Sequence, residues 1–258
     1  MEELGALKRQ MLAGRPVHGC WITLFSPMAS EIVGQASYDC SRIYLLRGTC
    51  GYLDAIQTMQ SFGPSTIPLI RVPGNSDQEI KRALDTGAEG IMIPTVNTPE
   101  EAAAAVAACH YPGGGRRGNA ASVIRASRYG TESKAYQEKI DAALLVICQI
   151  ETAEAADRAF DIAEVEGVDM IFIGPSDLSA TLGHLGELDH PDVRKAIAGI
   201  EQAVKRAGKL LGGLPTPGRS AEELYAAGYD LVLADGDVRL LRNSARASVA
   251  QLNRLLKR

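Results

Sequence analysis

Short apolar runs alternate with longer stretches of helical periodicity along the chain from Val17 onward. Apolar runs without polar alternation are typical of strands buried on both faces of a parallel sheet. Their alternation with helices predicts repeated βα units. The predicted strands are residues 17–24, 39–46, 66–71, 89–93, 144–150, 169–173, 209–214 and 230–234. The predicted helices are residues 29–36, 51–62, 77–87, 98–109, 152–164, 191–207, 219–227 and 238–256.

The number of units determines the expected architecture. Eight βα units in 258 residues predict one (β/α)₈ TIM barrel, a single domain over residues 1–258. A doubly wound open sheet is the alternative. No Gly-x-Gly-x-x-Gly follows the first strand, and this absence disfavours the open sheet.

One connection is much longer than the others. Residues 110–143 separate the fourth helix from the fifth strand, whereas such connections usually take about 2–6 residues. Because long ordered loops are often functional, this segment is predicted to be an active-site loop. It carries four arginines that are candidates for binding an anionic substrate, for pairing with a neighbouring subunit, or for local ion pairs. These are Arg116, Arg117, Arg125 and Arg128.

Two carboxylates follow neighbouring predicted strands. Glu151 ends the apolar run at 144–150, and Asp177 follows the run at 169–173. The carboxyl ends of parallel strands share one rim, so the two side chains are expected to lie close together. Oxygen donors without thiolates or imidazoles suit Mg²⁺ or Mn²⁺. The alternative is that each carboxylate only caps the helix that follows it.

Further polar residues are expected on the same rim, namely Arg47, Arg71, Gln149 and Ser176, with Trp21 inside the first strand. A cation after an apolar strand needs an anionic partner, either a barrel carboxylate or a bound substrate. An arginine offers a two-pronged donor for a carboxylate, and a metal can chelate a keto acid. A 2-oxo acid fits both, which points to chemistry at the carbon–carbon bond next to the ketone.

Composition narrows the ligand class. The net charge is −4 with both signs interspersed and no long basic run, so a small molecule is expected rather than nucleic acid. The five cysteines form no Cys-x-x-Cys pair and are expected to be reduced packing residues. The chain shows neither a signal-peptide pattern nor an apolar run of membrane-spanning length, which predicts a cytoplasmic protein without membrane contact.

Several of these segments resemble the metal-dependent class II pyruvate aldolases of the HpcH/HpaI type, over about residues 19–241. The matching motifs are Arg116-Arg117-Gly118, Gln149-Ile150-Glu151-Thr152, Glu166-Gly167-Val168-Asp169 and Phe172-Ile173-Gly174-Pro175-Ser176-Asp177-Leu178-Ser179. The resemblance implies a barrel with an exchanged last helix, in a hexamer built from dimers. It also implies a divalent metal, Mg²⁺ or Mn²⁺ with Co²⁺ as an alternative, on Glu151 and Asp177. Gln149 would contact pyruvate, and Arg71 would stabilise the enolate oxygen.

The second strand departs from the family pattern. Family members typically end this strand with Ile-Asp-x-Glu-His, whose Asp and His are assigned the acid–base step. The corresponding residues here are Ile43-Tyr44-Leu45-Leu46-Arg47, so Tyr44 replaces the Asp and Arg47 the His. An arginine stays protonated at neutral pH and cannot accept the proton.

Three functional hypotheses follow. The first is a metal-dependent carbon–carbon lyase or synthase in which Arg47 binds a second carboxylate, as in decarboxylation of oxaloacetate-like acids or citrate-synthase-like condensation of siderophore pathways. The second is an ordinary aldolase whose base has moved, to Tyr44 or a loop residue. The third is a protein that binds metal and a 2-oxo acid or polycarboxylate without turnover. The last helix, residues 238–256, carries an apolar stripe typical of core packing.

Overall fold

The chain folds into a closed barrel of eight parallel strands, in which each strand pairs with the next and the last pairs with the first. The computed structural model describes residues 4–45, 51–63 and 66–256. The barrel confirms the (β/α)₈ prediction and rules out the open sheet. The strands are β1 Val17–Ile22, β2 Cys40–Tyr44, β3 Ile67–Arg71, β4 Gly90–Ile93, β5 Leu145–Ile150, β6 Met170–Ile173, β7 Leu210–Gly213 and β8 Leu231–Gly236.

Helices alternate with these strands as the sequence predicts. They are α1 Ala6–Leu12, α2 Pro27–Gln35, α3 Tyr52–Ser61, α4 Asp77–Asp85, α5 Pro99–Cys109, α6 Ser133–Ala143, α7 Ala153–Asp157, α8 Ala159–Glu164, α9 Pro175–Thr181, α10 Pro191–Arg206, α11 Ala221–Ala226 and α12 Asp237–Leu255. Within the described part of the chain, none of these helices has the length and hydropathy that crossing a bilayer requires.

The core has two layers because each strand buries both of its faces. Leu69, Ile147 and Phe172 point into the barrel, whereas Ile70 and Val146 pack between the barrel and the helices. All six residues of β5 are buried. Side chains alternate between the two faces of a strand, so a strand covered on both sides reads as an unbroken apolar run.

Helix α1 closes the amino-terminal end of the barrel and was not among the predicted helices. Leu7 and Met11 are buried in the interior cluster. The ammonium of Lys8 donates to the Leu144 carbonyl at 2.9 Å and pairs with Asp169 at 2.8 Å. With this end covered by α1, the open end of the described barrel is at the carboxyl ends of the strands.

The segment at residues 110–143 is not one long loop. It contains a 3₁₀ turn at Arg125–Ser127 and ends in helix α6. It also leads from the end of α5 to the start of β5, so it joins the barrel at its amino-terminal end. The periodic pattern of α6 is weak, since only Tyr136 and Ile140 of its eleven residues are buried, and the sequence analysis missed it.

Helix α12 differs from its prediction as a core helix. Its first turns contact β1, β8 and α2, but its apolar residues beyond them are exposed. Leu241 is 64% exposed, Val249 55%, Leu252 52% and Leu255 72%. The described residues of one chain therefore do not cover this stripe.

Candidate active site

Three buried side chains meet at the carboxyl ends of β3 and β5. The Nε of Arg71 donates to Oε1 of Gln149 at 2.9 Å, and its Nη2 lies 3.3 Å from Oε1 of Glu151. The amide of Gln149 donates to Oε2 of Glu151 at 2.6 Å. At 2%, 6% and 3% exposure, the three groups are almost fully removed from water. Such burial is tolerated because the cation, the amide and the carboxylate satisfy one another.

Thr95, which was not among the predicted site residues, holds Glu151 from the end of a third strand. Both the N–H and the hydroxyl of Thr95 donate to Oε1 of Glu151, at 2.9 and 3.0 Å. Thr95 follows β4 with a positive φ of 51°, a conformation that is uncommon for residues other than glycine. Backbone strain of this kind clusters at functional sites, because surrounding contacts must maintain it.

Gly174 allows β6 to approach this cluster closely. A Cβ at this position would lie 2.8 Å from Cβ of Glu151 and 2.7 Å from Nε2 of Gln149. Only glycine avoids these contacts. The glycine of the Gly-Pro-Ser-Asp segment is therefore required by packing against the site.

A cavity of about 650 Å³ opens at this rim. Five predicted site residues line it together: Trp21, Arg71, Gln149, Ser176 and Asp177. Glu151 lies behind Arg71 and Gln149, which both donate hydrogen bonds to it. Arg47, predicted as a catalytic residue, lies outside the described residues.

Ser176 and Asp177 occupy the first turn of α9 and are exposed to the cavity. Asp177 therefore faces the ligand space on the same rim as the buried Glu151. Both carboxylates offer only oxygen ligands, a chemistry that fits a hard divalent cation. The Nη1 of Arg71 is buried and has no acceptor among the described residues, so it is available to a ligand oxygen.

Tyr44, at the position where a general base was expected, lines the cavity beside Arg71. The two residues are register partners in β2 and β3, and the Arg71 guanidinium lies 5.1 Å from the Tyr44 ring centroid. Tyr44 also meets the ring of Trp21 edge-on at 5.3 Å. These aromatic rings form one wall of the cavity.

Arg42 lies inside the barrel beneath that wall. It is fully buried, and none of its three guanidinium nitrogens has a hydrogen-bond partner among the described residues. Its guanidinium stacks 4.0 Å from the Trp21 ring centroid. Burial, and then the charge of Arg71, hold the pKa of Arg42 well below its usual range. Its sequence signal is a cation inside a predicted strand, although Arg42 was not among the predicted site residues.

Two more arginines, Arg239 and Arg242, reach the cavity from the start of α12. Arg239 pairs with Asp235 at 2.9 Å, and Asp235 in turn accepts a hydrogen bond from Tyr38 at 3.0 Å. Burial and this hydrogen bond raise the pKa of Tyr38 to about 12. Nothing in the sequence distinguishes these two arginines, which line the cavity, from the other basic residues of the last helix.

The four arginines of residues 110–143 are not at the cavity. Their partners are local: Arg116 pairs with Asp77 at 2.6 Å, Arg117 with Asp85 at 3.1 Å, Arg125 with the Thr86 carbonyl at 2.6 Å and Arg128 with Glu132 at 2.5 Å. No residue of the segment lines the cavity in one chain. Within one chain these four arginines therefore pair with nearby protein groups rather than face the ligand cavity. Their contact with a neighbouring subunit stays a prediction.

Another group of potential metal ligands, His184, His190 and Asp192, lies at the start of α10. The imidazole rings are stacked, with centroids 3.4 Å apart and planes at 18°. Nitrogen lone pairs lie in the ring planes, so two stacked rings cannot both direct them at one ion near 2 Å. Asp192 instead lies 3.2 Å from His184, as an ion-pair partner.

The sequence matches the model of the HpcH/HpaI aldolase/citrate lyase family over residues 18–244. The chain belongs to this family. The match covers all eight strands except Val17 of β1, and it includes Arg71, Gln149, Glu151 and Asp177. The chain is thus an aldolase-family lyase, in a family of class II aldolases that depend on a divalent metal.

Curated relatives cover nearly the whole chain. A 4-hydroxy-2-oxo-heptane-1,7-dioate aldolase of Klebsiella pneumoniae is 35% identical over 247 residues, which is 95% of this chain and 93% of that protein. A 5-keto-4-deoxy-D-glucarate aldolase of Shigella dysenteriae is 38% identical over 240 residues, covering 91% and 92%.

Solved structures agree with this assignment. An HpcH/HpaI aldolase/citrate lyase family protein from Burkholderia cenocepacia superposes with a TM-score of 0.91 at 33% identity, covering 96% of this chain and 99% of that one. The citrate synthase SbnG superposes with a TM-score of 0.86 at 25% identity, covering 98% and 99%. Enzymes named for cleavage and for condensation thus share this barrel.

Proposed function

We propose that the chain makes or breaks a carbon–carbon bond next to the ketone of a 2-oxo acid, of the pyruvate or oxaloacetate type, through an enolate. The observation that carries this proposal is the buried cluster of Arg71, Gln149 and Glu151 with one guanidinium nitrogen unused. A buried donor without an acceptor is costly, and a keto oxygen in the cavity would satisfy it.

The residues that would hold a divalent cation are Glu151 and Asp177, with Mg²⁺ or Mn²⁺ favoured and Co²⁺ as an alternative. When bound, such a cation polarises the keto group and offsets the negative charge that develops on it. The donor set fits, because both groups are carboxylates and Glu151 is oriented by Thr95. Hydrogen bonds that orient a ligand in this way commonly support metal affinity.

The chain's own residues then have distinct tasks. Arg71 donates from Nη1 to the oxygen where charge develops, a preorganised contact in a site largely closed to water. Gln149 keeps Arg71 in orientation through Oε1 and contacts the acid. Trp21 and Ser176 border the substrate, with Trp21 and Tyr44 excluding water from one side.

The proton-transfer step separates the candidate reactions. Release of carbon dioxide from an oxaloacetate-type acid, whose departing carboxylate is on the carbon next to the ketone, needs charge stabilisation at the keto oxygen but no base beside Tyr44. Cleavage of a hydroxy acid does need one, and Tyr44 or another residue would have to serve. A role for Arg47, as a catalytic group or as a second carboxylate ligand, stays a prediction.

Condensation is the second candidate, and the similarity to the citrate synthase SbnG favours it. A citrate-synthase-like reaction would run the same chemistry toward bond formation with a polycarboxylate. The third possibility, binding of metal and 2-oxo acid without turnover, is the outcome if neither direction proceeds.

The test is a metal-dependent assay with 2-oxo acids. Pyruvate release from oxaloacetate and from hydroxylated 2-oxo diacids is coupled to lactate dehydrogenase, with and without Mg²⁺ or Mn²⁺, after subtraction of the rate without protein. We expect metal-dependent release that Arg71→Lys lowers at least tenfold in kcat, because lysine lacks the two-pronged geometry. Metal-independent release, or an unaffected Arg71→Lys, would contradict the proposal. NMR of the products distinguishes decarboxylation, cleavage and condensation.

We also propose that the chain works as a homo-oligomer, a hexamer built from dimers, with α12 packed on a neighbouring copy. The exposed apolar stripe of α12 supports this assembly. A cytoplasmic location stays a prediction, and the four described cysteines, all free and buried, are compatible with it.

A further inference from the structure

The cavity has a second polar region on the side of β8 and α12. Arg239 and Arg242 lie there, one helical turn apart, on the helix that follows the last strand. Glu151 and Asp177 follow β5 and β6, so β7 lies between the two polar regions around the barrel. Leu214 and Pro215, directly after β7, line the cavity between them, and Leu185, Leu233 and Val238 add further apolar side chains to its lining.

The arginines of the cavity differ in their pairing. Arg71 is paired with Glu151, and Arg239 is paired with Asp235. Asp235 is itself fixed by Tyr38, so Arg239 is held in place on the cavity wall. The guanidinium of Arg242 makes no ion pair or hydrogen bond to the described residues, which leaves it available to a ligand.

The charges of the cavity match a doubly charged acid. Among the described residues, three arginines there face three carboxylates, counting Glu151 behind its partner Arg71. The proposed divalent cation would leave two positive charges in excess. A 2-oxo monocarboxylate brings one negative charge, whereas a 2-oxo dicarboxylate brings two and restores neutrality.

We propose that Arg242 is a specificity-determining residue that binds the second carboxylate of a 2-oxo dicarboxylate. The keto-acid end would lie at Arg71, Glu151 and Asp177, the carbon chain along the apolar strip, and the far carboxylate at Arg242. This inference rests on the proposed 2-oxo-acid site. Arg239, tied to Asp235, borders the same region and adds to its positive potential.

Ligand binding can be followed without turnover, because Trp21 is the only tryptophan of the chain and lines the cavity. Its fluorescence is titrated in the presence of Mg²⁺ with 2-oxoadipate, a dicarboxylate, and with 2-oxohexanoate, a monocarboxylate of the same length. The chains compared are wild type, Arg242→Gln, Arg242→Lys and the control Arg246→Gln. Arg246 lies one turn further along α12 and does not line the cavity.

We expect Arg242→Gln to raise the Kd of 2-oxoadipate about tenfold, the range of one carboxylate–arginine contact, and that of 2-oxohexanoate less than about twofold. Arg242→Lys should recover part of the loss, and Arg246→Gln should change neither Kd. Equal effects on both acids, or no effect, would overturn the role of Arg242 alone. If the wild type binds neither acid, the proposed 2-oxo-acid site fails and the role of Arg242 fails with it.

Discussion

Arg42 is fully buried, its guanidinium has no hydrogen-bond partner among the described residues, and aromatic rings are its closest contacts there. The Trp21 ring lies 4.0 Å away and the Phe172 ring 5.1 Å away. Stacking of this kind contributes about 2 kcal/mol when desolvated, less than the several kcal/mol that burial of an ion costs. The site therefore retains a residue that lowers stability, as functional sites often do.

Replacing Arg42 should make the protein more stable. In Arg42→Met the buried charge is gone while most of the volume is kept, so we expect the free energy of unfolding to rise by about 1–3 kcal/mol. Urea unfolding followed by circular dichroism measures this change. A loss of stability would mean that the guanidinium has a bound partner, such as an anion or ordered water.

Gly174 is the position where added volume should affect the site most directly. In Gly174→Ala the new methyl would meet Glu151 at 2.8 Å and Gln149 at 2.7 Å. We expect a loss of about 1–3 kcal/mol in unfolding free energy together with a large drop in activity.

The matched control is Gly199→Ala, in the middle of α10, where a Cβ would meet nothing within 4 Å. This change should stabilise the helix by about 0.5–1 kcal/mol and leave activity intact. The idea that Gly174 is required by packing fails if both variants behave alike.

At the scale of elements, the apolar runs were sufficient to predict the barrel. All eight strands appear where the pattern places them, because burial on both faces leaves a strong signal. Helix α1 was missed since only Leu7 and Met11 mark it. The predicted helix at 152–164 divides at Arg158 into α7 and α8, and α10 packs against both parts.

Residues of the candidate site could be named from the sequence where a motif or a strand end marked them. Trp21, Arg71, Gln149, Ser176 and Asp177 were named from the sequence and meet at one cavity. The missed residues are distant in sequence from the motifs. Thr95 joins the site through the pairing of β4 with β5, and Asp235 and Arg242 through closure of the barrel between β8 and β1. No local pattern encodes either.

Helix α12 allows a prediction about assembly. Leu252 is 52% exposed on its apolar stripe. If this stripe packs on a neighbouring copy, Leu252→Glu would bury a charge in that contact and reduce the mass measured by sedimentation velocity. Gln251→Glu, which adds the same charge at the adjacent exposed position, should leave the mass unchanged. A Leu252→Glu protein of wild-type mass would show that the stripe is not the interface.

At the scale of the whole molecule, folding protects the thiols. Cys20, Cys40, Cys109 and Cys148 are free and buried. Burial raises the pKa of Cys20 and of Cys148 to about 12, and those of the other two are also raised. The reactive thiolate is therefore scarce at pH 8 in the native state.

A thiol reagent tests this protection in Cys50→Ser, which removes the one cysteine outside the described residues. We expect no rapid reaction of the native protein with Ellman's reagent at pH 8, and four thiols per chain in guanidinium chloride. Rapid native reaction of even one thiol would contradict the burial of that residue.

The central claim is that the cluster of Arg71, Gln149 and Glu151, with Asp177, holds a divalent cation together with a 2-oxo acid. Titration of Mn²⁺ followed by electron paramagnetic resonance measures this directly, with oxalate as a non-reacting mimic of the pyruvate enolate. The proteins are wild type, Glu151→Gln and the control Glu154→Gln, an exposed residue of α7.

We expect one Mn²⁺ per wild-type chain, bound more tightly when oxalate is present. Loss of a hydrogen bond that orients a metal ligand typically lowers metal affinity roughly 10–100-fold, and loss of the ligand itself should cost at least as much. We therefore expect Glu151→Gln to bind Mn²⁺ at least about tenfold more weakly than the wild type. Glu154→Gln should match the wild type. Equal affinity in wild type and Glu151→Gln, or no binding by the wild type, would contradict the account.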